Sequence, residues 1–188
     1  MKNYYLRYFI GLVIAIGLII ALIFLLTQSG NKTKAPTPRS LSSFSNTTAV
    51  ARLTITGPIT APQNHNSIVI TVGRDQAVYQ HFTGYDGTVV DSKTFDNTEN
   101  SYNSFLHAIG RAGFTLGNAK PSLADSTGYC PLGQVYTFEL IEDGNQLENL
   151  WTSSCGGTKT FGGNLSVNLE LFQAQIPDYT ALTNNIAM

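Results

Sequence analysis

From Tyr8 to Leu26 the chain carries neither a charged nor an amide side chain. A helix of that length rises about 28 Å at 1.5 Å per residue, close to the roughly 30 Å hydrocarbon core of a bilayer. A soluble core helix is seldom apolar on every face. A cleaved signal peptide has a shorter apolar run, about 7 to 15 residues, ending at a small-residue site. Thr27 to Lys32 offers no such site, Ala49-Val50-Ala51 lies too far downstream, and no cysteine follows the run to take a lipid. The expectation is an uncleaved signal-anchor: residues 8–26 as a single-pass transmembrane helix, with the membrane as the partner of this N-terminal segment.

Charge is distributed as such an anchor requires. The formal net charge is -1, yet the first 64 residues hold only the bases Lys2, Arg7, Lys32, Lys34, Arg39 and Arg52, a net +6. The remainder holds five bases against all twelve acids, a net -7. This asymmetry suits contact of one end with an anionic surface and excludes a uniformly basic nucleic-acid binder. The positive-inside count is nearly tied, since Lys2, Arg7 and the terminal amine face Lys32, Lys34 and Arg39. The cysteines break the tie. Cys130 and Cys155 are the only two, and an isolated pair in one domain reads as a disulfide made in an oxidising compartment. Residues 1–7 are then cytoplasmic and the rest lies outside the cytoplasm, in the cell envelope.

Residues 27–50 are rich in Ser, Thr and Asn, contain Pro36 and Pro38, and lack acids. They read as a flexible linker. Residues 51–188 then form one extracytoplasmic domain. Ile68, Ile70 and Val72 alternate with Val69, Thr71 and Gly73 as a strand; residues 77–83 and 89–95 follow as two more, the second reached through Asp86-Gly87, a hairpin dipeptide. Thr98 caps a helix carrying Tyr102, Phe105, Leu106 and Ile109 on one stripe. The second half has strands at 134–141 and 147–154 around Asp143-Gly144, then a helix from Asn164 or Ser166 with Leu165, Leu169, Phe172 and Ile176 on one side, stopped by Pro177. Lys93-Thr94-Phe95 and Lys159-Thr160-Phe161 precede the two helices. The predicted fold is α+β: an antiparallel sheet with two helices packed on one face, three strands and a helix used twice, by duplication or by independent use of one β-β-β-α unit.

No catalytic constellation emerges, and the expectation is a protein that is not an enzyme and takes no cofactor or metal. Gly156 to Gly163 lacks the Gly-Lys-Ser/Thr that opens a phosphate-loop helix. His65, His81 and His107 lack metal-ligand spacing. Glu139 and Glu148 meet across the second hairpin if its register is regular, yet paired acids support glycosidic chemistry only at a defined separation. Ser153 and Ser154 lack the Gly-x-Ser-x-Gly setting of a hydrolase elbow. Trp151 and the tyrosines supply either a recognition surface or core packing.

Two resemblances bear on function. Trp151 to Cys155, Thr160 to Gly163 and Leu171 to Tyr179 resemble the ending of membrane-anchored proteins, uncharacterised in activity, from Saccharibacteria and related ultrasmall bacteria; this implies a bacterial envelope protein. Ser67 to Arg74 is similar to the first strand of the Streptomyces subtilisin inhibitor family, and Cys130-Pro131-Leu132, a strand, Asp143-Gly144, a strand and Cys155 are similar to its reactive-loop half. That resemblance implies an inhibitor loop of Cys130, Pro131, Leu132 and Gly133, with Leu132-Gly133 as the reactive bond. It departs from the family in lacking a second disulfide, in Gly133, and in the ending from Lys159 to Tyr179. The leading expectation is a membrane-anchored binding, adhesion or scaffolding module for an unknown protein or surface ligand, with protease inhibition as the alternative.

Overall fold

Ala51, Leu53 and Ile55 are buried and alternate with Arg52, Thr54 and Thr56, which are half-buried. This period of two makes β1 (Val50–Thr56) a strand with one apolar face. The computed structural model describes residues 40–118 and 121–188 together with Gly17. Within it follow β2 (Asn66–Val72), β3 (Gln76–Thr83), β4 (Thr88–Asp96), α1 (Glu99–Arg111), β5 (Val135–Glu142), β6 (Asn145–Ser153), α2 (Leu165–Gln173) and the short α3 (Tyr179–Thr183). The six strands form one sheet in the order β4-β3-β2-β1-β5-β6, antiparallel throughout.

Register aligns the apolar positions into rows. Tyr79, Ile70, Leu53, Phe138 and Leu150 stand opposite one another from β3 to β6, and all five are buried. The helices cover this face. Phe172 of α2 lies 6.2 Å from the Phe138 ring and 5.1 Å from Phe105 of α1, and Tyr179 of α3 lies edge-on to Tyr79 at 6.3 Å. Aromatic pairs at such separations add to the gain from area burial alone. The predicted stripe on α1, namely Tyr102, Phe105, Leu106 and Ile109, is the buried one. Its N-terminus is capped as expected, the Ser101 N–H donating to Thr98 Oγ1 at 3.2 Å. Asn164 caps α2 in the same way, accepting from Val167 N at 3.2 Å.

The α+β architecture matches the prediction at this level, and three details differ. Four strands precede α1 and two precede α2, so the chain is not a β-β-β-α unit used twice; β1 occupies the centre of the sheet, held by β2 and by the sequence-distant β5. A third helix follows Pro177, where Asp178 takes φ 55° and redirects the chain. The domain also begins before residue 51. Ser40–Met188 forms one unit, in which Leu41 and Phe44 of a 3-10 turn (Leu41–Phe44) and Ala49 are buried in the core. The 40–50 stretch assigned to the linker is therefore part of the folded domain, because its two large apolar residues find a site against α1: Leu41 reaches within 3.5 Å of where a Cβ on Gly110 would stand. The predicted N-terminus, transmembrane helix and first part of the linker lie, but for Gly17, outside the described residues. Among the described residues no helix is long and apolar enough to cross a membrane.

Candidate functional site

Three connections meet at one end of the sheet: residues 57–65 between β1 and β2, residues 84–87 between β3 and β4, and the long connection before β5. Backbone bonds tie them together. Ile59 N donates to Pro131 O at 2.8 Å, and Gly84 N donates to His65 O at 2.9 Å. Tyr85 Oη donates to Thr60 O at 2.8 Å and accepts from Thr60 N at 3.1 Å. The buried His65 ring stacks on Tyr85, centroids 4.1 Å apart and planes at 15°. Its Nδ1 lies 3.1 Å from Pro58 O; a carbonyl only accepts, so Nδ1 carries the proton. Tyr85 is thus held by three contacts while its outer ring face stays in solvent.

Between these loops lies a cleft of about 250 Å³. Thr56, Ile59, His65, Tyr85, Thr127 and Cys130 contribute to its walls, and no Asp, Glu, Lys or Arg lines it. A second hollow opens on the other side of Tyr85, between Pro62, Thr83 and Asp86. A wider groove of about 490 Å³ lies between residues 46–50 and 73–76. That groove is poorer in recognition chemistry, since it lacks aromatic side chains and the Arg74 guanidinium beside it is engaged by Asp75 at 2.9 Å.

The predicted disulfide is present: Cys130 and Cys155 are bonded, their Cα atoms 5.7 Å apart. It fastens the end of the long connection to the end of β6. Gln134 N donates to Ser154 Oγ and Ser154 N to Gln134 O, each at 2.9 Å. Gly133 is required by this closure, because a Cβ there would stand 2.4 Å from Ser154 Oγ and 2.7 Å from Cys130 Sγ. The glycine, a departure from the inhibitor family, is therefore what lets the loop close against the bridge. Leu132 projects from this clamp with 89% of its surface exposed. Gly133 N turns back to Cys130 O at 3.3 Å, so residues 130–133 form a turn.

No protein-family model matches the sequence, and no curated protein matches it.

The other residues singled out in the sequence are dispersed. Trp151 belongs to the core: it is 1% exposed, its Nε1 donates to Leu123 O at 2.6 Å, and Tyr129 covers it at 5.0 Å. Glu139 and Glu148 do not meet. Glu139 stands opposite Asn149 and beside Arg52, 3.7 Å away, whereas Glu148 stands opposite Leu140 on the helix-covered face, where burial pushes its carboxyl above the usual range. His81 Nε2 donates to Asn66 Oδ1 at 2.9 Å, since Asn66 Nδ2 is spent on Asn64 O and Ala187 O; burial holds its pKa below the ordinary value. His107 lies on α1, exposed. Among the described residues no three His, Cys, Asp or Glu side chains gather as a metal would need. Gly156 and Gly157 take φ 71° and 80° in a turn, and Gly163 packs against the Ala112 and Gly113 carbonyls.

Sequence reasoning offered the tyrosines together as a recognition surface or core packing, and did not set Tyr85 and Tyr129 apart from the others or join Ile59 to them. Together with Leu132 they are four of the nine large apolar side chains that the described residues leave exposed, and all four flank this end of the sheet. Their only signal in the sequence was their position in Gly- and Pro-rich connections, where an aromatic or β-branched residue has no strand or helix to stabilise.

Proposed function

We propose that the chain is a single-pass, membrane-tethered module of a bacterial cell envelope that binds a protein or peptide through the loop end carrying Leu132, and that it performs no catalysis. The observation that supports this reading most is the cleft that Ile59 and Tyr85 line together with Thr56 and Thr127, without an Asp, Glu, Lys or Arg, with the exposed Tyr129 and Leu132 in the connection beside its wall residue Cys130. Fixed aromatic and aliphatic anchors around a pocket are the usual centre of a binding surface. The disulfide and the Ser154 bonds set the loop geometry before a partner arrives, which lowers the ordering cost of association. The residue 8–26 segment and the resemblance to envelope proteins support the location, and the disulfide supports an oxidising compartment.

Protease inhibition is the second reading, favoured by the exposure of Leu132 beside a disulfide. Against it stands the turn, in which Cys130 O already accepts from Gly133 N, whereas a protease cleft pairs with an extended strand.

A photo-reactive side chain in place of Tyr129 in the full-length protein, irradiated in intact cells, tests both readings. A defined adduct that disappears on Leu132→Asp is expected; an adduct pattern indifferent to Leu132→Asp and to Tyr85→Ala overturns the binding surface. If the adduct is a subtilisin-like protease, stoichiometric loss of that protease's activity separates inhibition from simple capture. Thiol labelling of single cysteines at Ser29 and Asn3, added to a Cys130→Ala/Cys155→Ala background, reads the topology; labelling of position 3 from outside the cell overturns the orientation.

A further inference from the structure

The two edges of the sheet are treated differently. At β6, Thr160 N and Phe161 N both donate to Trp151 O, at 3.0 and 2.8 Å, and Phe161 bridges onward to Gly117. That edge is covered at Trp151. At β4, among the described residues, no backbone hydrogen bond arrives from the outer side, and Val89 and Val90 are 48% and 56% exposed. An open edge with apolar side chains is a template for another strand.

We propose that β4 pairs with β4 of a second copy of this chain, antiparallel and with Ser92 on the two-fold axis, joining two sheets into one. The ladder fixes which atoms are offered. Asn97 N donates to Asp75 O at 2.9 Å, one step beyond the Gln76↔Asp96 pair. Alternation along an antiparallel ladder then turns the backbone groups of Asp91, Lys93 and Phe95 towards β3, and those of Ser92, Thr94 and Asp96 outwards. A partner strand centred on Ser92 meets outward groups with outward groups.

Charge selects this register over its neighbours. With the axis on Ser92, Asp91 faces the partner's Lys93 and Lys93 faces the partner's Asp91. These are the closer, non-hydrogen-bonded positions of the new ladder, with Cα atoms about 4.5 Å apart. Moving the axis to Asp91 sets two carboxylates against each other, and moving it to Lys93 sets two ammonium groups together. Within one copy the same two side chains stand 3.7 Å apart, both part-exposed, so the pair becomes a four-charge alternating cluster at the interface. In this register Val90 faces the second copy's Thr94 and Val89 its Phe95, the irregularity opposite His81 and Phe82 ends the ladder there, and the two-fold pairing closes the assembly as a dimer. This interface is separate from the loop end carrying Leu132 and does not rest on it.

The test uses the full chain in bilayer nanodiscs or intact cells. Cys130 and Cys155 occupy each other, so a cysteine introduced at position 92 is the sole free thiol. Across a hydrogen-bonded pair the two Cα atoms lie about 5.5 Å apart, inside the range a disulfide spans. Thr94→Cys is the control: in this register its symmetry mate is four residues along the strand, about 14 Å away. Mild oxidation is expected to convert Ser92→Cys into a reducible dimer and to leave Thr94→Cys monomeric. Asp91→Lys or Lys93→Asp in the Ser92→Cys chain is expected to lower the dimer yield about fivefold or more, and the exchange of both to restore it. A monomeric Ser92→Cys chain, equal crosslinking at positions 92 and 94, or no restoration by the exchange overturns the proposal. So does slow hydrogen exchange of the Ser92 and Thr94 amides in a chain shown to be monomeric, since another segment of the same chain then covers the edge.

Discussion

Replacing Cys130 and Cys155 together by alanine removes the one covalent constraint on the loop end, and its cost follows from chain statistics. The bridge joins residues 25 apart in sequence. Closing a loop of that size restricts the unfolded ensemble by about 12 cal/mol/K, which is about 3.5 kcal/mol at 25 °C. For a domain whose total stability is of order 5–15 kcal/mol, that is between a quarter and two-thirds of it. The native contacts around the bridge remain, because Gln134 and Ser154 stay paired through backbone and hydroxyl. The loss therefore falls on the unfolded state, and the folded loop is expected to keep its turn. Urea unfolding followed by the fluorescence of the single, buried Trp151 reads the change directly. With a slope of about 2 kcal/mol/M for a domain of this size, the midpoint falls by roughly 1.7 M. The unfolding of the unmodified protein with and without a thiol reductant gives the same difference without a mutation. A free-energy change below about 1 kcal/mol in both experiments refutes the chain-entropy reasoning.

Phe138→Ala, at a ring fully enclosed by Phe114, Phe161 and Phe172, is expected to cost about 3–5 kcal/mol by urea unfolding; a loss near 1 kcal/mol shows that the helices do not depend on this ring. Thr98→Ala is expected to cost about 1 kcal/mol, because Ser101 N loses its acceptor at the start of α1, and Thr98→Asp to cost less than that. Burial lowers the pKa of His81, against a smaller opposing effect of Asp91, so near that pKa the folded state binds fewer protons there than the unfolded one. Its contribution is fully present above the unfolded pKa of about 6.5 and is lost as pH falls below it. Thermal midpoints of the parent and of His81→Gln are therefore expected to converge between about pH 7 and 5, and parallel curves rule this out.

The second hairpin shows where sequence reasoning stops. Asp143 and Gly144 take φ 50° and 78°, the left-handed pair that a two-residue hairpin needs, and the dipeptide announces it. Counting back from that turn sets Glu139 opposite Glu148. The ladder instead slips by one between Leu140 and Ile141, pairing Leu140 with Glu148 and Glu139 with Asn149. A slip of one residue exchanges the faces of a strand. Here it brings Leu150 opposite Phe138 in the buried row and separates two carboxylates that a regular register would oppose. Packing across the whole sheet decided that, and nothing within the hairpin records it.

By itself the sequence determined what is decided within a few residues. That includes the alternation of β2, β3 and β5, the capped apolar stripe of α1, the Asp-Gly turns and the pairing of the only two cysteines. Each follows from backbone geometry, side-chain period or a choice with one alternative. Tertiary structure alone decided that Val50–Thr56 lies at the sheet's centre against a strand some eighty residues later, that Leu41 and Phe44 leave the linker for the core, and that Ile59, Tyr85, Tyr129 and Leu132 share one end. Those outcomes depend on which distant surfaces are apolar and complementary at once. Such contacts lower the free energy only after the long loops between them have closed, and no local pattern carries that information.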